Sequence, residues 1–174
     1  MEKLMSSKIV YECPIFKIEE ALVELPDKSE AKRWYILMHD GAVVVCLKGN
    51  SIIMLKEYRS ASGQLEWRIP AGALKDGEDP KEGAIRETRE EIGLEPLDIR
   101  LVKSLIKPSG SIKQVTHIFV ATKFRENPLP SEDKEELFIK TEELPIEKVK
   151  EMISTFEIPP NIGQFIYEAL RFLK

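Results

Sequence analysis

Cysteine and histidine are scarce in this chain of 174 residues, with two of each. Cys13 and Cys46 form no close-spaced pair, which argues against a disulfide framework. With only His39 and His117 as companions, a zinc site is also disfavoured. No stretch approaches the ~20 apolar residues of a membrane-spanning helix, and no N-terminal segment joins a basic start to a long apolar run. Cytoplasm is therefore the default expectation. Basic residues are not in excess: 26 Lys and Arg stand against 30 Asp and Glu, a net charge of −4, which argues against nucleic acid as the main partner. The same balance leaves room for a small phosphorylated substrate, since a bound cation reverses the field of an acidic pocket. There is no internal repeat and no low-complexity tract.

What is present fits one globular domain with appendages, 43% hydrophobic and 32% charged. Val10 to Ile18 and Ala21 to Leu25 have the short apolar character of strands. The turn Pro26-Asp27-Lys28-Ser29 leads from them to Trp34-Tyr35-Ile36-Leu37. Ala42 to Leu47 and Ile52 to Leu55, joined by Lys48-Gly49-Asn50-Ser51, read as a hairpin. Further strands are expected at Leu65–Ile69, Leu97–Ile106, Val115–Phe124 and Leu137–Ile139. The chain is expected to finish with two helices, one at Ile146–Ile153 and one starting near Asn161, with Gln164 at its capping-box position. Many short strands around one strong central helix predict a mixed α/β (α+β) domain with helices outside a sheet.

That central helix has the clearest boundaries. Asp79 is a good N-cap, Pro80 suits the first helical position, Glu82 completes the capping pattern and Gly93 suits the stop, so the spacing predicts a helix over 80–92. At about 100° per residue, Glu87, Glu90 and Glu91 share one sector of about 100°. That sector lies beside the face of Ala84, Ile85, Thr88 and Ile92, which packs on the sheet. Like charges so spaced repel by a few tenths of a kcal/mol per pair. A divalent cation reverses that cost, because magnesium takes oxygen ligands from a few carboxylates together with substrate phosphates. On helix composition alone a solvated face, neutralised by Arg86 and Arg89, competes with this reading.

Gly72, five residues, Glu78, seven residues and then Arg86-Glu87-Thr88-Arg89-Glu90-Glu91-Ile92-Gly93-Leu94 resemble the Nudix box, the signature of the Nudix hydrolase family. Thr88 stands where that family has an aliphatic residue. Tyr58-Arg59, Trp67-Arg68-Ile69-Pro70-Ala71-Gly72, the loop Pro108-Ser109-Gly110-Ser111 and the acidic stretch before Leu137 resemble the ADP-ribose pyrophosphatase branch. The resemblance implies a Nudix-like mixed β-sheet sandwiched by helices over 41–174, with the box at 72–94. It also implies a strand-rich N-terminal extension over 1–40 that contacts substrate and a second subunit in a homodimer.

The implied activity is metal-dependent hydrolysis of the diphosphate of ADP-ribose or a related nucleoside diphosphate sugar, giving AMP and ribose 5-phosphate from ADP-ribose. The implied cofactor is Mg2+, with Mn2+ as the alternative. Another nucleoside diphosphate derivative is the rival substrate, and a non-catalytic nucleotide-binding module the rival class. Carried onto this chain, the resemblance makes Glu87, Glu90 and Glu91 metal ligands together with the carbonyl of Ala71. Arg86 and Glu78 stand behind them. The base or a further ligand comes from 131–136, with Glu135 favoured and Asp133 and Glu132 next. Ser109 and Gly110 belong to a substrate loop, and Phe16, Trp34 and Tyr35 are either an adenine platform or packing residues. Arg59 is either a phosphate clamp or a strand-end ion pair. Arg68 stands where the branch often has glutamate, and either pairs with a neighbouring acid or touches substrate phosphate.

Overall fold

The computed structural model describes residues 1–106, 110–130 and 140–173. The chain forms two compact units, Met1–Asp40 with Leu105–Thr116, and Gly41–Ser104 with His117–Lys174.

The first unit is a four-stranded sheet in the order β1-β2-β3-β10. Its strands are β1 (Lys3–Glu12), β2 (Phe16–Glu24), β3 (Glu30–Met38) and β10 (Ile112–Lys113). The strand expected over Val10–Ile18 is instead split at Cys13–Ile15, where the Cys13 N–H donates to Phe16 O at 3.0 Å and turns the chain. The turn after Leu25 forms as expected. Asp27 Oδ1 accepts from the Ser29 N–H at 3.0 Å, and Lys28 takes the left-handed φ of 73°. The unit also takes in residues beyond the first forty, because Ile112 and Lys113 pair in parallel with Ile36 and Leu37. Ser111 O accepts the Ile36 N–H at 2.7 Å.

The second unit is built on a seven-stranded sheet, of which the main path is β13-β5-β4-β11-β9. These strands are β4 (Gly41–Lys48), β5 (Ser51–Arg59), β9 (Arg100–Ile106), β11 (Val115–Ala121) and β13 (Lys140–Pro145). Off the path, β6 (Gln64–Arg68) pairs with β5 and β7 (Ala71–Ala73) with β4. The β4–β5 hairpin turns at Gly49, whose φ of 61° suits glycine. A separate ribbon joins β8 (Leu94–Pro96) to β12 (Phe124–Glu126). The strand expected at Leu137–Ile139 lies outside the described residues.

Alternation along β4 divides the core into two layers. Ala42, Val44 and Cys46 join Ile53, Phe119 and Ala121 in one apolar cluster that includes Ala84 of helix α1 (Pro80–Ile92). Val43, Val45 and Leu47 are buried on the opposite face. There α2 (Ile146–Ser154) packs against β5 and α3 (Pro160–Phe172) against β4. Helix α3 begins one residue before the expected Asn161; Pro159 at its cap has no side-chain acceptor to offer, and Pro160 supplies the pre-set φ of a first helical residue. No helix among the described residues is long and apolar enough to cross a membrane.

Candidate active site

Helix α1 is placed by its ends. Asp79 Oδ1 accepts the N–H groups of Lys81 and Glu82 at 2.9 and 3.3 Å. Gly93 closes the helix at φ 71°, its N–H returning to Arg89 O. Ala84 and Thr88 are fully buried. The hydroxyl of Thr88 donates to Ala84 O at 2.7 Å, which is how a polar side chain fits a position suited to an aliphatic one. Glu87 is only 7% exposed, so the acidic sector begins inside the packed face rather than beside it.

Three carboxylates gather around one guanidinium. Arg86 grips Glu78 with both arms of its fork, Nε to Oε1 at 2.8 Å and an Nη to Oε2 at 2.9 Å. Its other Nη donates to Glu87 Oε1 at 2.7 Å and Glu90 Oε2 at 2.9 Å. Glu78 also accepts the Lys75 N–H at 2.9 Å, which ties the loop before α1 to the helix. The Arg86 bond holds the Glu78 carboxyl below the usual carboxylate range, against the opposing effect of burial, and Glu78 in turn strengthens the positive charge of Arg86.

Glu91 reaches the sheet instead, where its Oε2 accepts the Ala71 N–H at 3.0 Å. Burial, and then the charge of Glu91, push the Cys46 thiol far above its ordinary value and keep it protonated. Glu87 sits directly over the bare Cα of Gly72, where an added Cβ would stand 2.0 Å from its Oε1. Gly72 is thus a seat for a carboxylate.

Arg89 does not neutralise the cluster. Its Nε donates to Asn127 O at 2.8 Å, away from the three glutamates. The cluster is rich in acids: Glu78, Glu87 and Glu90 share Arg86, Lys75 adds positive charge near Glu78, and Glu91 accepts from the Ala71 N–H. Among the described residues no three acidic, imidazole or thiol side chains close on a common point. Glu87 and Glu90 close on Arg86.

The family model for the NUDIX domain matches residues 38–160. The chain belongs to this family. The chain is 30% identical over 162 residues to an ADP-ribose pyrophosphatase of Mycobacterium tuberculosis, covering 91% of this chain and 78% of that protein. It is 34% identical over 122 residues to a methanol dehydrogenase activator of Bacillus methanolicus, covering 69% of this chain and 65% of that one. Its fold superposes on the crystal structure of an ADP compounds hydrolase with a TM-score of 0.83 at 18% identity, covering 99% of this chain and 94% of the other.

The remaining candidates are dispersed. Arg59 bonds to Glu57 Oε1 at 3.1 Å. Arg68 pairs with Glu57 Oε2 at 3.4 Å and Glu66 at 4.0 Å, so it meets neighbouring acids. Trp34 is 54% exposed on β3, Phe16 is half-buried against Tyr11, and Gly110 is exposed in a turn, all three in the first unit. His117 Nδ1 lies 2.8 Å from Ser104 Oγ on the neighbouring strand, and the His39 carbonyl accepts from Gln114. Ser109, Glu132, Asp133 and Glu135 lie outside the described residues. Glu57 was not anticipated, although its signal was legible: Ile53, Leu55, Glu57 and Arg59 alternate onto one face of β5.

Proposed function

We propose that this Nudix domain protein is a pyrophosphohydrolase that splits the diphosphate of ADP-ribose or a related nucleoside diphosphate sugar, releasing AMP and ribose 5-phosphate from ADP-ribose. The observation that carries the reading is the gathered acidic cluster beside the Gly72 seat, with Glu87 and Glu90 held by Arg86 and Glu91 by the Ala71 N–H. The likeness to an ADP-ribose pyrophosphatase over 91% of the chain supports the substrate class.

The donor set fits a hard divalent cation, Mg2+ or Mn2+, because every donor is oxygen and the side chains that supply it are carboxylates. Glu87, Glu90 and Glu91 would hold it, with the Ala71 carbonyl beside them. When bound, it lowers the pKa of water and offsets charge on the phosphate oxygens. Arg86 keeps Glu87 and Glu90 gathered, Glu78 fixes the plane of Arg86, and the Ala71 N–H orients Glu91. We assign the base to the acidic segment 131–136, with Glu135 first and Asp133 behind it.

A substrate panel with product identification tests the reading. ADP-ribose with Mg2+ or Mn2+ is expected to give AMP and ribose 5-phosphate. Turnover only of a dinucleoside polyphosphate, another nucleotide-sugar or a capped RNA would overturn the substrate claim. Glu91→Gln is expected to lower turnover by orders of magnitude while the circular-dichroism spectrum is unchanged. Equal turnover in the two proteins would remove Glu91 from the chemistry.

A further inference from the structure

Among the described residues, only three polar or charged side chains are buried: Glu87, Thr88 and Glu57. The first two belong to the box helix. Glu57 does not, and a carboxylate withdrawn from water costs free energy unless it is paired. It is paired twice, with Arg59 Nη on Oε1 at 3.1 Å and Arg68 Nε at 3.4 Å from Oε2.

Strand register explains why these three meet. In the β5–β6 hairpin Leu55 stands opposite Arg68, Glu57 opposite Glu66 and Arg59 opposite Gln64. Residues 55, 57 and 59 therefore share a face with 64, 66 and 68. Ile53, two places earlier on that face of β5, belongs to the apolar cluster that includes Ala84 of α1. The acid and its two arginines thus lie on the face of the sheet that carries the box helix. The opposite face has its own cation, Lys56, 4.9 Å from the centre of the Trp67 ring.

Each guanidinium has five donors in a planar fork. Arg59 spends one nitrogen on Glu57, while Arg68 spends Nε on Glu57 and reaches Glu66 only at 4.0 Å. Their other donors meet no protein acceptor among the described residues. Arg68 is 22% and Arg59 41% exposed in the side chain, so both can reach solvent. Ile69 and Pro70 alone separate Arg68 from Ala71, whose N–H holds Glu91. Three peptide units span at most about 10 Å, the scale of a diphosphate with its flanking sugar.

We propose that Glu57 is a positioning residue that aims Arg59 and Arg68 together at the diphosphate of the substrate, with Arg68 a specificity-determining contact. This rests on the hydrolase reading. One carboxylate orders both forks, so each meets the oxyanion with less conformational entropy to lose than a free arginine would. The pair acts on binding, and the glutamate helix on the chemistry.

The test is a double-mutant cycle read two ways. The first readout is binding of inorganic diphosphate by calorimetry without added metal, and the second is KM and kcat for ADP-ribose with Mg2+. Glu57→Gln and Arg68→Gln are each expected to weaken diphosphate binding and raise KM by about tenfold, with kcat nearly unchanged. The double variant is expected to lose clearly less than the two single losses combined, because Glu57 acts in part through Arg68. Glu57→Asp, which keeps the charge, is expected to recover part of the loss. Additive effects, or unchanged diphosphate affinity with a lower melting temperature, would make Glu57 a strut of the hairpin and overturn the proposal. Absence of diphosphate binding by the unaltered protein would also overturn it, even with ADP-ribose hydrolysed. Diphosphate binding that depends on Glu57 in a protein that hydrolyses no panel member would retain the clamp and reject the hydrolase reading.

Discussion

At the scale of single residues, the site is governed by which side chains are denied space. Gly72 has no Cβ, and the volume one would fill is taken by the Glu87 carboxylate, 2.0 Å from where that atom would stand. Gly72→Ala must therefore push the Glu87 carboxylate off its seat, because the three atoms nearest the added methyl all belong to that carboxylate. A displacement of about 1 Å at a reacting centre costs on the order of 100-fold in rate. Steady-state kinetics of Gly72→Ala on ADP-ribose are expected to show a kcat loss of that order with a nearly unchanged melting temperature. An active Gly72→Ala enzyme would mean that Glu87 tolerates displacement. Gly83 has a comparable reason to be glycine, since a Cβ there would stand 2.4 Å from Leu74 Cδ2, between the helix and the loop that carries Glu78.

At the scale of elements, helix α1 was legible in the sequence because its boundaries are set locally. Asp79, Pro80 and Gly93 act on backbone within a turn of themselves, and each forms the bond or backbone angle its type suggests. The three-residue strand β7 was not legible. Ala71–Ala73 has no periodicity of its own and becomes a strand only because Gly41, Ala42 and Val43 lie opposite it. The Glu57–Arg68 pair was hidden for the same reason, since it needs the register of β5 on β6.

Asp98 is a third long-range tie. Its carboxylate accepts the N–H groups of Thr122 and Lys123 at 2.8 and 2.9 Å, as well as the Thr122 hydroxyl, and so pins the approach to β9 against the end of β11. Burial opposes its charge, but these bonds outweigh burial and hold its carboxyl below the usual aspartate value. A carboxyl lowered on folding adds stability that is complete above its unfolded value, about 3.9, and is lost as pH falls through the lower folded value. Asp98→Asn is therefore expected to destabilise the protein at pH 7 by about 1 kcal/mol, after allowance for its partial exposure to solvent. Below about pH 4 the difference between the two proteins should begin to shrink. Urea denaturation across pH 3 to 7 measures this, and a constant difference over the range would remove Asp98 from the acid response.

At the scale of the whole molecule, strand β1 is the least protected element. Among the described residues it is an edge of the four-stranded sheet paired with β2 alone, and all ten residues from Lys3 to Glu12 are exposed. Leu4, Met5, Ile9, Val10 and Tyr11 present apolar side chains to solvent along it, each at least 46% exposed. A long apolar edge strand left open invites pairing with another chain, which folded proteins ordinarily block with charge, proline or a cover. Lys3, Lys8 and Glu12 supply some charge, but none interrupts the run Ile9-Val10-Tyr11. We expect a homodimer in which this edge is covered by a second copy. Light scattering behind a sizing column should give twice the chain mass at micromolar concentration. Val10→Lys, which puts a charge in the middle of the apolar run, should shift the protein toward monomer without changing the melting of the box-bearing unit. A monomeric unaltered protein would leave the edge without this purpose, and a Val10→Lys variant that stays dimeric would move the interface elsewhere.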